Sequence, residues 1–294
     1  MSMAAEALRD RLEGAGLIVA PGAYDGLSAR LVERAGFPAV YLTGGGVSRS
    51  FGRPDIGATT LGEVVERARS VVSVTTLPVI ADLDAGHGGV AMLMRAVREM
   101  EAAGVAAVHI EDREVPRRYR NNEDNMLPVD DMAGRVRAAF AVRSRNGILI
   151  IARTDSAPVE GLDRAIDRAN AYADAGADVI YVEHLRTRAE METVARRVAA
   201  PKLVSLNKGS GETPPAAELE QMGYRILTLP ADLQLAAIHA MQNLLSHVAE
   251  FGSTAQFDEM ISFAARDEIV GLDEARARED DFLPVGRPPA PGTR

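Results

Sequence analysis

Acidic side chains recur in this sequence at the ends of short apolar runs, with a spacing that suits metal or acid–base chemistry. Asp82 and Asp84 alternate along one run, so on an extended strand both point to the same face. Glu111 closes the next run. Together the three make an all-oxygen cluster of the kind that takes a hard cation, Mg2+ or Mn2+, with several waters retained. A solvated acidic rim without metal is the alternative reading. Arg153 ends a further run, and its planar fork suits a carboxylate or phosphonate, or else a salt bridge to Glu183 or Asp155. Thr43 leads into Gly44-Gly45-Gly46, whose bare backbone N–H groups could hold a carboxylate or enolate oxygen, although a tight turn would use glycine too. Asp55 follows in the next loop, and Glu183-His184 and Asn207-Lys208 end two more runs.

The elements that would position these residues are legible as alternating short and long segments. Expected strands are Leu17–Ala23, Ala39–Thr43, Val79–Asp84, Ala107–Asp112, Ile148–Asp155, Val179–His184, Lys202–Asn207 and Arg225–Pro230, each apolar on both faces as in a buried parallel sheet. Amphipathic segments such as Leu61–Val74, Ala91–Ala103, Leu162–Ala175 and Arg188–Val198 lie between them. Gly36, Gly104, Gly176 and Gly223 each end such a segment shortly before a strand, where a helix C-cap favours glycine. Eight such units predict a (β/α)8 TIM barrel, which they suit better than a doubly wound open sheet. In that fold the active site lies at the C-terminal strand ends, where all the residues above fall.

Residues 1–250 are expected to form the barrel. Residues 251–283 form a C-terminal extension with helices over Phe257–Phe263 and Glu268–Arg278, and the Pro- and Gly-rich segment 284–294 a disordered tail. The connection Arg113–Pro128 is long and polar, with Arg113, Arg117, Arg118, Tyr119 and Arg120. It reads as a lid that closes over an anionic substrate, or as a merely solvated loop.

Composition narrows the function. The 294 residues carry 33 Lys+Arg against 42 Asp+Glu, a net charge of −9, which argues against a nucleic-acid binder. No apolar run is long enough to span a bilayer, and Met1–Asp10 holds no signal-like apolar block, so a cytoplasmic enzyme is expected. With no cysteine, disulfides, thiolate metal sites and cysteine-based catalysis are all excluded.

Several segments together resemble the isocitrate lyase/phosphoenolpyruvate mutase superfamily over about residues 8–250. They are Tyr41-Leu42-Thr43-Gly44-Gly45, Pro54-Asp55, Asp82-Leu83-Asp84-Ala85-Gly86-His87-Gly88, His109-Ile110-Glu111-Asp112, Ala152-Arg153-Thr154-Asp155 and Glu160-Gly161-Leu162-Asp163. The resemblance implies a Mg2+-dependent barrel acting on a small anionic 2-oxo or 2-hydroxy acid through a metal-stabilised enolate. Asp82 and Asp84 would hold the metal, with Asp55 and Glu111 acting through its waters. Tyr41, Thr43, Gly44 and Gly45 would bind the acid, and Arg153 would anchor it. A homotetramer is implied, with the C-terminal helices packing on a neighbouring subunit.

Glu183 and Asn207 resemble the carbon–carbon lyases of the superfamily. Those carry a Lys-Arg/Lys-Cys-Gly-His lid with a catalytic cysteine, whereas this chain has Arg117-Arg118-Tyr119-Arg120. A standard isocitrate or methylisocitrate lyase is therefore not expected. Tyr119 becomes the candidate proton donor, since arginine stays charged, with Arg117, Arg118 and Glu111 as the other catalytic candidates. The expected activity is carbon–carbon cleavage of a small dicarboxylate. Oxaloacetate-type decarboxylation, phosphonopyruvate-type phosphorus–carbon chemistry and a non-catalytic ligand-binding barrel are the alternatives.

Overall fold

In the computed structural model, which describes residues 3–115 and 125–282, eight parallel strands close into a barrel in sequence order. They are β1 (Ile18–Ala23), β2 (Val40–Leu42), β3 (Val79–Asp82), β4 (Ala107–Glu111), β5 (Leu149–Thr154), β6 (Val179–Val182), β7 (Lys202–Ser205) and β8 (Ile226–Leu229). The (β/α)8 expectation holds, and each expected strand is found with its ends trimmed. The trimming has a local cause on the functional side: Asp84 and His184 adopt left-handed backbone with φ of 45° and 65°, which no ladder accommodates. The polar residues therefore stand just past the paired strands.

Strand alternation divides the core in two. Side chains in one phase, among them Ala20, Tyr41, Ile80, Ala107, Ile151 and Tyr181, fill the barrel and pack on Ala5 and Leu8 of the helix Met3–Glu13. That helix closes the N-terminal end, where Arg225 donates to the Leu12 carbonyl at 3.1 Å. The other phase, with Leu42, Ala81, Val108, Ile110, Ile150 and Ala152, packs outward against the helices.

The helices start and stop for local reasons. Leu61–Val72 opens with Thr60 accepting from the Glu63 N–H while the Glu63 carboxylate reaches back to Thr60, a reciprocal cap. The expected glycine stops also hold: Gly104 follows Val90–Ala102 at φ 87°, and Gly223 ends Ala216–Met222 at φ 98°.

The connection after β4 is clamped at both ends. Leu127 N–H donates to the Asp112 carbonyl at 2.9 Å, and Glu114 N–H to the Asn125 carbonyl at 3.1 Å. Arg168, from the helix Leu162–Asp174, donates to both Glu160 oxygens at 2.6 Å and to the Leu127 carbonyl at 2.8 Å. It also donates at 3.1 Å to Tyr172 Oη, which in turn donates to buried Asp112 at 2.8 Å. Burial raises the Asp112 pKa against these bonds. Arg168→Met removes the cation from this buried set and is expected to cost about 3 kcal/mol in chemical denaturation. An unchanged midpoint would show that the clamp contributes nothing.

The chain divides into two compact units, Met1–Ala240 and Met241–Arg294. In the second, two helix expectations are corrected. Phe257–Phe263 is not helical; the helix runs Phe263–Ile269, because Ser262 Oγ accepts from Ala265 N–H at 3.1 Å and caps it there. Glu268–Arg278 is not continuous either. Gly271 at φ 72° separates that helix from Leu272–Asp280. Met241, Leu245, Phe251, Met260, Ile261 and Phe263 of this unit are each at least half exposed.

Candidate active site

The inward phase of β2 to β8 turns polar at its C-terminal end, with Tyr41, Asp82, Glu111, Arg153, Tyr181, Ser205 and Thr228. Register pairs Asp82 with His109, Glu111 with Arg153, and Arg153 with Tyr181, so these side chains occupy adjacent levels of one rim. Asp82 ends β3, and its Oδ1 accepts from Asp84 N–H at 2.9 Å and lies 3.4 Å from His109 Nε2. Asp84 and Glu111, with His87, Thr59, Thr60 and Met92, line a cavity of about 310 Å³. Asp84, His87 and His184 are non-glycine residues with left-handed backbone on this one rim, a placement that larger frameworks sustain at functional sites.

Arg153 stands between the acids. Its Nε donates to Asp155 Oδ1 at 2.6 Å and lies 3.7 Å from Glu111 Oε2, with the guanidinium 5.2 Å from the Tyr181 ring centre. Burial disfavours its charge, but Asp155, then Glu183, Glu111 and Asp82, hold its pKa well above the ordinary value. Burial likewise opposes the Asp155 carboxylate, and Arg153 and Arg113 overcome it, keeping that carboxyl below the usual range. Both sequence readings of Arg153 are thus compatible: it is ion-paired to Asp155, and it faces the rim.

The glycine run is the first turn of a helix, Gly44–Ser50, and not an open turn. Thr43 caps it by accepting from Gly46 N–H at 3.3 Å, which leaves the Gly44 and Gly45 N–H groups in the first turn. Glycine there lets side chains come close to the backbone. A Cβ on Gly44 would lie 2.8 Å from Asp82 Oδ2, and one on Gly45 2.9 Å from Asp55 Oδ2. Gly44→Ala should displace the Asp82 carboxylate and lower kcat/KM roughly a hundredfold while the melting temperature stays near that of the parent. Full activity in Gly44→Ala would show that this approach is not functional.

The structure thus brings Tyr41, Thr43, Gly44, Asp82, Asp84, Glu111 and Arg153 to one end of the barrel, with Asp55 against Gly45. Glu183 and Asn207 line a second cavity of about 270 Å³, with His184, Arg186, Ser205 and Ser210. Asn207 Oδ1 is committed to Ala231 N–H at 3.0 Å. Arg117, Arg118 and Tyr119 lie outside the described residues.

Among the described residues no three acidic or histidine side chains converge as a direct metal cage. The carboxylate cluster is therefore looser than the sequence spacing suggests. The donor set still fits a hard cation held by one or two carboxylates with its waters kept, which is how Mg2+ is commonly bound.

One feature escaped the sequence. Arg113, grouped there with the solvated lid, is buried and donates to Asp155 Oδ2 at 2.6 Å. His109, which the sequence reading leaves between core and a supporting role behind the site, is fully buried and touches both Tyr41 and Asp82, in the same strand phase as Glu111.

A closed parallel barrel with acids and one arginine on its C-terminal rim defines the (β/α)8 enzyme architecture. The family model for phosphoenolpyruvate phosphomutase matches residues 8–249. The chain belongs to that family, within the phosphoenolpyruvate mutase/isocitrate lyase superfamily. It is 36% identical to 2,3-dimethylmalate lyase of Eubacterium barkeri, covering 94% of this chain and 96% of the relative. It is 38% identical to 2-methylisocitrate lyase of Bacillus subtilis, covering 79% and 77%. Among solved structures, oxaloacetate acetylhydrolase with 3,3-difluorooxalacetate superposes with a TM-score of 0.89 at 30% identity, over 95% of this chain and 96% of that one. Phosphonopyruvate hydrolase with oxalate and Mg2+ superposes with a TM-score of 0.88 at 25% identity, over 96% and 99%.

Proposed function

We propose that this protein is a Mg2+-dependent lyase that cleaves a carbon–carbon bond in a small 2-hydroxy or 2-oxo dicarboxylate. The observation that carries the reading is the placement of Asp82, Asp84 and Glu111 at neighbouring C-terminal strand ends beside buried Arg153, in a chain similar to named lyases over nearly its whole length. Asp82 and Asp84 would hold the cation, with Asp55 and Glu111 reaching it through water; Mn2+ would fit the same oxygens. When bound, the cation supplies Lewis-acid charge at the substrate oxygens.

The chain's own residues do the rest. Thr43 and the Gly44 and Gly45 N–H groups receive the carboxylate of the oxo-acid half, with Tyr41 beside them. Arg153 anchors the acid, and Glu183 and Asn207 grip the fragment that leaves. For a 2-hydroxy acid, Glu111 accepts the hydroxyl proton through a water. The oxygen pair then closes the 2-oxo group as the C2–C3 bond breaks. The released pair passes into the leaving fragment as its enolate, and the Tyr119 hydroxyl protonates that carbon. Arg117 and Arg118 neutralise the fragment's charge.

Tyr119→Phe is expected to lower kcat about a hundredfold or more, the range for loss of a general acid. Full activity in that variant would remove Tyr119 from the reaction. Pyruvate release from 2,3-dimethylmalate or 2-methylisocitrate, measured with Mg2+ and again with chelator, tests the class of reaction. Phosphorus–carbon cleavage is the second reading, supported by the likeness to phosphonopyruvate hydrolase.

We also propose that the protein works in the cytoplasm as a homotetramer, with residues 251–283 packing on a neighbouring subunit. The exposed apolar side chains of the second unit support that assembly, because large exposed apolar patches mark interaction surfaces.

A further inference from the structure

His109 sits on β4 in the same inward phase as Glu111 and is wholly buried. Its ring stacks on Tyr41 with 5.8 Å between centroids and 10° between planes, and meets Tyr181 edge-on at 5.8 Å. The ring is therefore fixed from two sides. Nε2 lies 2.6 Å from Tyr41 Oη and 3.4 Å from Asp82 Oδ1, whereas Nδ1 is buried without a hydrogen-bond partner. Register makes the contact systematic, since Asp82 and His109 are Cα partners across β3 and β4.

The two neutral tautomers differ in cost. A proton on Nδ1 would be a buried donor with no acceptor, the rarer kind of orphan, and would turn the bare Nε2 lone pair toward the Asp82 carboxylate. A proton on Nε2 faces the carboxylate and the phenol oxygen, and leaves only an unfilled acceptor at Nδ1. In that arrangement Tyr41 accepts from His109 and keeps its own hydrogen to give.

We propose that His109, as its Nε2–H tautomer, is a positioning residue that aims Asp82 at the cation site and leaves the Tyr41 hydroxyl free to donate to the bound acid. This rests on the reading of the rim as a cation and oxo-acid site. His109 touches neither substrate nor cation; it acts through Tyr41 and Asp82.

Two measurements test it. The first is a long-range 1H–15N correlation spectrum of histidine-labelled protein, with His109 assigned by its loss in His109→Gln. It should show a protonated Nε2 and a bare Nδ1. The second is Mn2+ titration followed by electron paramagnetic resonance. His109→Gln, whose amide N–H reaches the Nε2 position, should bind Mn2+ within about threefold of the parent, and His109→Asn roughly tenfold or more weaker. A proton on Nδ1, or Mn2+ binding by His109→Asn equal to the parent, would overturn the assignment. If His109→Asn does not fold, the spectrum of the unaltered protein decides alone. Failure of the unaltered protein to bind Mn2+ would contradict the reading of the rim itself, whereas a proton on Nδ1 with normal Mn2+ binding would contradict only the role of His109.

Discussion

Asp82→Ala is expected to lower kcat/KM about a thousandfold, the loss of roughly 4 kcal/mol of transition-state stabilisation. The residue is the last of β3, and its carboxylate is tied down by Asp84 N–H and faced by His109, while Gly44 lets it approach a helix N-terminus. On the proposed reading, alanine removes a cation ligand, and with it the acceptor for Asp84 N–H. Added Mg2+ should not restore the rate, since the missing oxygen cannot be replaced by mass action at ordinary concentrations. The side chain is not packed in the apolar core, so the melting temperature should change little. Steady-state kinetics across a Mg2+ series checks this, and a rate within tenfold of the parent would remove the metal role of Asp82.

Arg153→Lys is expected to raise KM and lower kcat, with kcat/KM falling about a hundredfold. Arginine here does two things at once: its Nε bonds Asp155 at 2.6 Å, and the rest of the planar fork is held over Tyr181 toward the rim. Lysine carries a comparable charge on a flexible stem and lacks the fork, so an ammonium drawn to Asp155 leaves the substrate carboxylate unmet. Asp155 keeps its second partner, Arg113, at 2.6 Å, which should let the variant fold. The kinetic split is informative because an anchor lost equally from ground and transition states moves KM alone. Unchanged KM together with unchanged kcat in Arg153→Lys would show that this side chain serves Asp155 and nothing else.

The barrel was legible in the sequence because the strands are buried on both faces and several helices end on a glycine with a local reason to stop. Asp82, Asp84, Glu111 and Arg153 were legible for the same reason, since a charge that interrupts a buried strand at its C-terminal end has one place to go in this fold. The period of two did as much work as residue type: Tyr41, Asp82, His109, Glu111, Arg153 and Tyr181 share one phase. What the sequence hid depends on which side chain meets which. Arg113 looks like any loop arginine until Asp155 is found opposite it, and the buried pair follows from strand adjacency, not from spacing. The run Gly44–Gly46 reads equally as turn or helix start, and Thr43 decides it by capping. In the second unit the helices are short, so Ser262 and Gly271 outweigh periodicity in setting their ends.

The most direct test of the account is a proton and phosphorus NMR time course of the purified protein with Mg2+, repeated with chelator. The substrates are 2,3-dimethylmalate, 2-methylisocitrate, oxaloacetate and phosphonopyruvate. Carbon–carbon cleavage of one of the carboxylic acids, abolished by chelator and restored by Mg2+, is the predicted result. Cleavage that persists in chelator, or release of phosphate with no carboxylic acid consumed, would contradict it.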